Sequence, residues 1–274
     1  SDIFEAPNNS LILIDEIEAG LHPTIQRKLA DIIEFISWHH KKQFIITTHS
    51  PTLLGAFPQK SRVFIDTKVD GTYEAISKVS RNTAFSKMDS LIHPLINLYC
   101  EDKEAKFIIR NLLVEINQTH KNFDRLVNII TSGPINEVRS DYERHKRNYP
   151  QMRMKIGYGC VFDGDYKNDP EYSNYHGNEN EYSFFLFPFM APEKFLVNAY
   201  LASSPNEQLR SVYNFNDHHT LFQEMSHFGI AADRAQARDL CWEAFKLTPE
   251  YTRLRDTFKG FIEKTVQIFS EKND

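Results

Sequence analysis

The sequence Cys160-Val161-Phe162-Asp163-Gly164-Asp165 ends an apolar run in two acids that are separated by one glycine. An uninterrupted apolar run is typical of a strand that is buried in a parallel sheet. Alternate positions of an extended segment direct their side chains to the same side, so we expect Asp163 and Asp165 to point together. Gly164 lacks a Cβ atom, which allows a backbone or a phosphate to come close. This stretch therefore predicts a buried strand that ends in a pair of carboxylates.

Earlier in the chain, Leu98-Tyr99-Cys100 leads in the same way into Glu101. Parallel strands deliver the residues at their carboxyl ends to one edge of the sheet, where ligands of α/β proteins bind. Carboxylates that gather at such an edge repel one another strongly unless divalent cations lie among them. Glu101, Asp163 and Asp165 are therefore predicted to form a metal site.

The segments around these acids predict an α/β fold. Apolar runs predict strands at 95–100, 126–131, 155–162 and 184–189, and amphipathic patterns predict helices at 103–120 and 136–147. Ser132-Gly133-Pro134 is expected to form a turn, and 164–183 a loop. The pattern from Pro192 onward is mostly helical. The prediction is a parallel sheet flanked by helices, followed by C-terminal helices.

The beginning of the chain predicts a second, smaller α/β arrangement. Buried strands are predicted at 11–14, 43–48 and 62–66, with a helix that opens at Pro23. Val69-Asp70-Gly71-Thr72 predicts a hairpin turn into a partner strand at 73–79. Residues 80–94 are expected to connect this part to the next.

Two motifs in this first part carry acids and a histidine. Leu11–Ile14 leads into Asp15-Glu16, and the second strand leads into His49, 34 positions after Asp15. With Ile17–Pro23 between them, these segments resemble the Walker B, D-loop and switch-histidine segments of ABC-type ATPases. The resemblance implies that Asp15 holds Mg²⁺, that Glu16 orients a hydrolytic water and that His49 senses the γ-phosphate. ATP with Mg²⁺ is therefore the expected cofactor of this part in the full-length protein.

The phosphate-binding loop of such an ATPase is absent from this sequence. No G-x-x-x-x-G-K-[ST] pattern occurs in it, so the chain alone is not expected to hydrolyse ATP. We expect the loop to lie upstream, in a longer protein of which this chain is the C-terminal portion, although a separate subunit is an alternative source. ABC-type ATPases bind nucleotide between two protomers, so the resemblance also implies a homodimer or a higher homo-oligomer.

The second part resembles the TOPRIM domain, which topoisomerases, bacterial primases and certain nucleases share. The order strand, Glu101, helix, strand with Gly133, helix, strand, Asp163-x-Asp165 matches that domain. An ABC-type ATPase followed directly by a TOPRIM domain resembles the OLD family of nucleases (overcoming lysogenization defect). The resemblance implies an ATPase part at 1–90, a TOPRIM domain at 91–201 and a helical extension at 202–274.

The match to the OLD family departs from its pattern in one place. Many members carry Glu-Gly-x-x-Glu, whereas this chain has Glu101-Asp102-Lys103-Glu104, so its second acid comes one residue early. Glu104 or Asp102 is expected to substitute for that acid. Glu193, after the strand at 184–189, is similar in position to a further acid of the family, although a helix N-terminus also favours a glutamate.

The resemblance implies an ATP-regulated, divalent-metal-dependent DNA endonuclease that serves antiphage defence. Two Mg²⁺ or Mn²⁺ ions are expected at Glu101, Asp163 and Asp165, with Glu104 and Glu193 in support. A regulatory protein or RNA partner is an open possibility. The alternatives are a DNA-repair-type ATPase whose TOPRIM domain is not catalytic, and a primase- or topoisomerase-like enzyme. The cations that could assist or track DNA are Lys103, Lys167, Lys194, Lys259 and the basic segment 139–155.

The composition is that of a globular protein, with 41% hydrophobic residues, 25% charged residues and a formal net charge of −5. A net negative charge argues against a chain that coats nucleic acid along its whole surface. The cysteines, Cys100, Cys160 and Cys241, are too few and too scattered for a disulfide framework, so we expect buried thiols and a cytoplasmic protein. No apolar run approaches the length of a membrane helix.

Overall fold

The computed structural model describes residues 2–68, 70–88, 94–118, 123–152, 155–178, 181–187, 189–215 and 217–272. It is a mixed α/β protein with parallel sheets flanked by helices, as the sequence predicts. The chain divides into two compact units, one formed by Ser1–His93 with Ser270–Asp274, the other by Pro94–Phe269. Several predicted features include residues outside the described ranges, namely Val69, His93, His120, Arg153 and Pro188.

The first unit contains a parallel strand pair and an antiparallel hairpin. Its elements are α1 (Asp2–Glu5), β1 (Leu11–Ile14), α2 (Pro23–His39), β2 (Gln43–Ile46), α3 (Pro51–Ala56), β3 (Val63–Thr67), β4 (Tyr73–Ser77) and α4 (Arg81–Met88). β1 pairs in parallel with β2, and β3 pairs antiparallel with β4. α2 begins at Pro23, where the fixed φ angle of proline suits a first helical turn. The predicted strand, helix and strand order is confirmed.

The prediction that β1, β2 and β3 are buried strands was wrong, because none of their residues is fully buried. In β1 the side chains alternate between exposed and half-buried, and Leu13 is 69% exposed. α2 packs on α3 and β2, and its residues Ala30, Ile33 and Ile36 are buried. Among the described residues the other face of this strand pair has no covering element, so its apolar side chains meet solvent. An apolar run thus predicted the strand but not its burial, which depends on neighbours.

The second unit is built on a sheet whose described strands are all parallel and are ordered β6-β5-β7-β8. These strands are β5 (Ile96–Cys100), β6 (Val127–Thr131), β7 (Gly157–Asp163) and β8 (Ser183–Leu186). The helices α5 (Lys103–Asn117) and α6 (Ile135–Asn148) connect the first three. The predicted parallel sheet with its flanking helices is confirmed. β5 and β7 are central strands; β7 is buried up to its last residue, and β5 alternates between buried and half-buried residues.

The rest of the second unit is helical. It comprises α7 (Pro192–Ser203), α8 (Glu207–Phe215), α9 (Leu221–His227), α10 (Arg234–Lys246) and α11 (Pro249–Lys272), whose last residues group with the first unit. These helices supply Phe245, Phe258 and Ile262 to the same buried cluster as the sheet. Residues 202–269 therefore share one core with the sheet.

Two further expectations concern the chemistry of the interior and the membrane. Cys100, Cys160 and Cys241 are free and buried, as predicted. Across the described ranges, no helix combines the length and the apolar character that crossing a bilayer requires.

Candidate functional site

The acids of the second unit follow neighbouring strands. β5 and β7 run in parallel, with Tyr99 opposite Cys160, so Glu101 and Asp163 leave the sheet from adjacent strand ends. Asp165 follows in the 3-10 helix Gly164–Asn168. Burial raises the pKa of Asp163, and the negative charges of Glu101 and Asp165 raise it further, as expected for carboxylates that lie close together. The structure thus brings Glu101, Asp163 and Asp165 together at one edge of the sheet.

Gly164 holds the acidic pair of β7 against the end of β8. A Cβ atom built on Gly164 would lie 1.9 Å from the carbonyl oxygen of Phe187 and 2.4 Å from that of Leu186. No side chain fits there, because backbone carbonyls cannot move aside as the end of a long side chain can. The close approach that the sequence predicts at Gly164 is therefore made by the protein backbone.

Gly133 ties the second predicted turn to the leading glutamate. Its backbone N–H donates to the carbonyl oxygen of Glu101 at 3.0 Å, and Ser132 N–H donates to Cys100 at 2.9 Å. These bonds extend the pairing of β5 with β6 past the last strand residue. Gly133 has a φ of +106°, a conformation that side-chain-bearing residues rarely adopt. Gly133 therefore fixes the backbone position of Glu101.

The electrostatics of the site are those of crowded, poorly solvated acids. Burial, followed by the charges of Asp102 and Asp165, raises the pKa of Glu101 from 4.5 to about 7. Burial likewise raises the pKa of Asp163 well above its usual range, and the charge of Glu101 adds to this effect. Glu101 Oε2 and Asp163 Oδ1 are buried and have no hydrogen-bond partner within the described ranges. Buried carboxylate oxygens without partners are unusual and favour an ion as the missing partner.

Glu193 lies in the first turn of α7 and joins the same cluster. Only 2% of its surface is exposed, and its charge raises the pKa of both Glu101 and Asp163. Burial raises the pKa of Glu193 itself, while its own backbone N–H and the ring of His219 act in the opposite direction. A glutamate at a helix N-terminus is common, but one this deeply buried among acids points to a ligand role.

Sequence reasoning missed His218 and His219, which belong to this cluster. His219 Nδ1 lies 3.2 Å from Glu193 Oε1. Burial, followed by the charge of His219, lowers the pKa of His218, and the charge of Asp165 raises it. The one available signal was the acid-histidine-histidine run that begins at Asp217, in a segment with no strand to predict where it points.

The described contacts of Glu104 are with arginines, not with the acidic cluster. Its carboxylate accepts hydrogen bonds from Arg234 at 2.7 Å and from Arg238 at 3.4 Å, both on α10. The preceding Asp102 caps α5, where its carboxylate accepts from the backbone N–H groups of Glu104 and Ala105. Asp102 is nevertheless close enough for its charge to raise the pKa of Glu101. Of the two expected substitutes for the family's second acid, Asp102 is therefore the one near the site.

The donor set fits Mg²⁺ or Mn²⁺. These cations prefer carboxylate oxygens, and the cluster offers the carboxylates of Glu101, Asp163, Asp165 and Glu193. Two of these carboxylates carry the unpartnered buried oxygens. Deprotonation of acids with raised pKa values is coupled to metal binding, because only the carboxylate form is a ligand. The residues present can therefore hold the ions that the sequence predicts.

Most cations that the sequence offered for DNA contact are engaged elsewhere. In the basic segment, Arg139 pairs with Glu171 at 2.6 Å and Arg144 with Asp141 at 3.2 Å. Lys155 donates to the backbone carbonyls of Tyr149 and Pro150. That the segment tracks the DNA backbone stays a prediction.

The candidate catalytic lysines also differ in position. Lys259 pairs with Glu263 at 3.9 Å on α11, and Lys167 lies over the ring of Phe189 at 5.6 Å. Lys194 follows Glu193 directly, and its charge lowers the pKa of His218. Lys194 is thus the lysine with a described electrostatic effect on a residue of the cluster.

In the first unit, the acids and the histidine of the predicted ATPase motifs also meet. The hydroxyl of Thr47 donates to Asp15 Oδ1 and accepts from the backbone N–H of Glu16 at 3.0 Å. His49 Nε2 lies 3.6 Å from Glu16 Oε1, and its backbone N–H donates to Glu18 at 2.6 Å. The ends of β1 and β2 therefore place Asp15, Glu16 and His49 side by side, as a nucleotide site of this type requires.

Burial alone would raise the pKa of Glu18, but hydrogen bonds from backbone N–H groups, including that of His49, lower it. Glu18 therefore stays ionised and fixes the backbone from which His49 projects. Ser50, the next residue, caps α3 with its hydroxyl and donates to Gln26 at 2.6 Å. These contacts order the whole turn after β2.

A family model described as "AAA domain, putative AbiEii toxin, Type IV TA system" matches residues 1–55. The match includes Asp15, Glu16 and His49 and ends within α3. The N-terminal part of the chain is therefore an ATPase-type segment.

Proposed function

We propose that this chain carries the nuclease centre of an ATP-regulated, divalent-metal-dependent DNA endonuclease of the TOPRIM type. The centre comprises Glu101, Asp163, Asp165 and Glu193 at the edge of the parallel sheet. The ATPase-type segment at the start of the chain is its regulatory counterpart. Cleavage of phosphodiester bonds is the reaction.

The observation that carries this proposal is the pair of buried, unpartnered oxygens, Glu101 Oε2 and Asp163 Oδ1. A fold stabilised only by packing gains nothing from acids in such a place, because leaving a buried polar group unsatisfied costs about 1–3 kcal/mol. Acids with raised pKa values in a cluster are typical of functional sites. Divalent ions supply an activated water and stabilise the leaving oxygen in phosphodiester hydrolysis.

The chain's own residues have distinct tasks in this proposal. Gly133 and Gly164 fix the backbone positions of Glu101 and Asp163, which keeps the ligand geometry rigid. Lys194, beside the cluster, provides a positive charge for the phosphate at which negative charge accumulates. Glu104 is a positioning residue, because its two arginine contacts hold the start of α5 directly after Glu101.

DNA as the substrate rests on the resemblance to the OLD family. Regulation by ATP is supported by the ATPase-type segment at 1–55. The description of that family names a putative toxin of a type IV toxin–antitoxin system. A nuclease whose damage must be restrained suits such a system, and a role in antiphage defence is proposed on this ground.

The test is the nicking of supercoiled plasmid by the full chain with Mg²⁺ or Mn²⁺. Asp163→Asn is expected to reduce the rate at least about 1,000-fold, because it removes a central ligand charge without changing the shape of the side chain. Asp124→Asn, at an exposed position of the same unit, is the matched control and should retain the rate. Metal-independent nicking, or equal nicking by Asp163→Asn, would contradict the proposal.

The same assay separates the alternatives. DNA binding without cleavage would support a DNA-repair-type ATPase with a non-catalytic domain, and cleavage of RNA in place of DNA would overturn the substrate class. A topoisomerase would form a covalent bond from a tyrosine to DNA. Tyr166 is close to the acids, but burial and the charges of Glu101 and Asp165 raise its pKa, which makes it a poor nucleophile. Tyr166→Phe is therefore expected to retain nicking.

A further inference from the structure

A short turn between α8 and α9 brings two imidazole rings to the acidic cluster. His218 and His219 begin the 3-10 helix His218–Thr220, which Asp217 caps by accepting from the backbone N–H of His219 at 3.1 Å. The centroids of the two rings are 4.0 Å apart. Both rings thus lie side by side next to Glu193 of α7.

The ligand atoms of Glu193, His218 and His219 all lie within 4.8 Å of one another. Two ligands bound about 2.1 Å from one metal, at angles between 90° and 109°, are about 3.0–3.4 Å apart. The 3.2 Å between His219 Nδ1 and Glu193 Oε1 already matches this spacing. The ring nitrogen of His218 lies within the same 4.8 Å limit.

The ligand interpretation also explains the burial of Glu193. A carboxylate that is 98% buried needs more than one hydrogen bond from a ring to offset the loss of hydration. The adjacent unpartnered oxygens of Glu101 and Asp163 show that the cluster as a whole is short of positive charge.

We propose that Glu193, His218 and His219 form a nitrogen-containing cation site that selects a first-row transition metal ion over Mg²⁺. Imidazole nitrogen suits the divalent ions from Mn²⁺ to Zn²⁺, whereas Mg²⁺ prefers an all-oxygen octahedron. Two imidazoles and one carboxylate also form a common catalytic set for Zn²⁺. This inference deepens the proposed function and rests on it, since the site adjoins the carboxylates of the same centre.

A purely structural role for the histidines predicts something different. A histidine that only pairs with a glutamate contributes to stability alone, and its removal leaves metal preference unchanged. The two interpretations therefore differ in the selectivity between metals, which is measured without reference to cleavage.

The test compares metal binding by the full chain with that of variants, using Co²⁺, Mn²⁺ and Mg²⁺ in calorimetric and competition titrations. His218→Asn and His219→Asn are each expected to weaken Co²⁺ and Mn²⁺ binding at least tenfold, within the range of about 10- to 100-fold for supporting groups of metal sites. The affinity for Mg²⁺ should change less than about twofold, because Mg²⁺ does not depend on nitrogen ligands. The Co²⁺ visible spectrum of the wild type should also change in the variants.

His227→Asn is the matched control. The side chain of His227 is 59% exposed, as is that of His219, and it also pairs with a glutamate, Glu224 at 3.4 Å. This control should bind every metal as the wild type does. Equal Co²⁺ affinity in His219→Asn and the wild type, or an equal loss of Mg²⁺ and Co²⁺ binding, would overturn the inference.

The outcomes distinguish this inference from the nuclease proposal. Histidine-dependent Co²⁺ binding in a chain that cleaves no DNA would support the cation site and contradict the proposed function. Metal-dependent cleavage with unchanged Co²⁺ binding in both histidine variants would support the function and contradict the cation site.

Discussion

Two strands of this protein, β1 and β7, have almost the same sequence pattern, an apolar run that ends in acid, yet their surroundings differ. In β1, Leu13 is 69% exposed, and Asp15 accepts a hydrogen bond from Thr47. In β7, Val161 is fully buried, and Asp163 has a buried oxygen without a partner among the described residues. The difference arises because β7 has strands on both sides, whereas β1 pairs only with β2 in the described part of the chain.

The comparison shows what turns an acid at a strand end into a site that requires a cation. Directly after β1, Asp15 accepts a hydrogen bond from a neighbouring hydroxyl and the side chain of Glu16 is 60% exposed, so protein and water satisfy these two acids. At the end of β7 the enclosing sheet removes water, and the neighbouring acids add repulsion. Burial, rather than the acidic motif itself, therefore creates the demand for positive charge.

The largest difference is expected when the same substitution, leucine to alanine, is made in one strand of each sheet. Leu98→Ala, in β5, should lower the free energy of unfolding of the second unit by about 2–5 kcal/mol, because the side chain is fully buried. Leu13→Ala, in β1, should cost only about 0.5 kcal/mol, because its side chain is already largely in water. Urea unfolding measures both.

Each unit contains one tryptophan, so tryptophan fluorescence can follow the unfolding of the second unit alone. Trp242 is 3% exposed and belongs to the second unit, while Trp38 is 84% exposed and belongs to the first. In a Trp38→Phe background, fluorescence reports on the second unit, and circular dichroism reports on the whole chain. Equal losses from Leu98→Ala and Leu13→Ala would show that the two strand pairs are equally buried.

A smaller effect is expected from alanine at two glycines near the acidic strand ends. Gly164→Ala should cost about 3 kcal/mol, since the new Cβ atom would overlap the carbonyl oxygen of Phe187. Gly20→Ala should cost about 1 kcal/mol from its φ of +75° alone, because no atom lies within 4 Å of the new Cβ. Thermal unfolding of the two variants gives the comparison, and a smaller loss at Gly164 than at Gly20 would count against the tight contact.

The smallest effect per measured step is expected from a change of pH. The folded protein raises the pKa of Glu101 from 4.5 to about 7, so it holds this proton more tightly than the unfolded chain does. Without metal, the stability of the second unit should therefore fall as pH rises from about 5 to about 7, by at most about 1.4 kcal/mol per pH unit and proton. Urea unfolding with chelator measures the slope.

Two controls test the cause of this slope. Glu101→Gln should flatten it, since the amide does not titrate. Mn²⁺ should reverse it, because metal binding requires the carboxylate form and stabilises the folded state increasingly as pH rises. An unchanged slope in Glu101→Gln would show that other groups produce the pH dependence.

The sequence predicted what depends on local pattern. The parallel strands, the flanking helices and the acids at the ends of β5 and β7 follow from apolar runs and their terminal residues. Gly133 and Gly164 were predicted as turn and close-approach positions, and the structure confirms both roles.

What the sequence missed depends on long-range packing. The site near Glu193 also includes His218 and His219, whose direction is set by how α8 and α9 fold back over α7. Glu104 was predicted as a ligand, yet it pairs with arginines that lie 130 and 134 residues away in sequence. No periodicity within one segment encodes such contacts.

The two arginines of α10 set a limit on how this protein could be recombined with others. A graft that ends at residue 201 would transplant the sheet but leave behind Arg234, Arg238 and the histidine turn. Glu104 would then lose both arginines that pair with it, close to the end of β5 that bears Glu101. A splice that preserves the centre must therefore carry the chain from Pro94 through Phe269 as one piece.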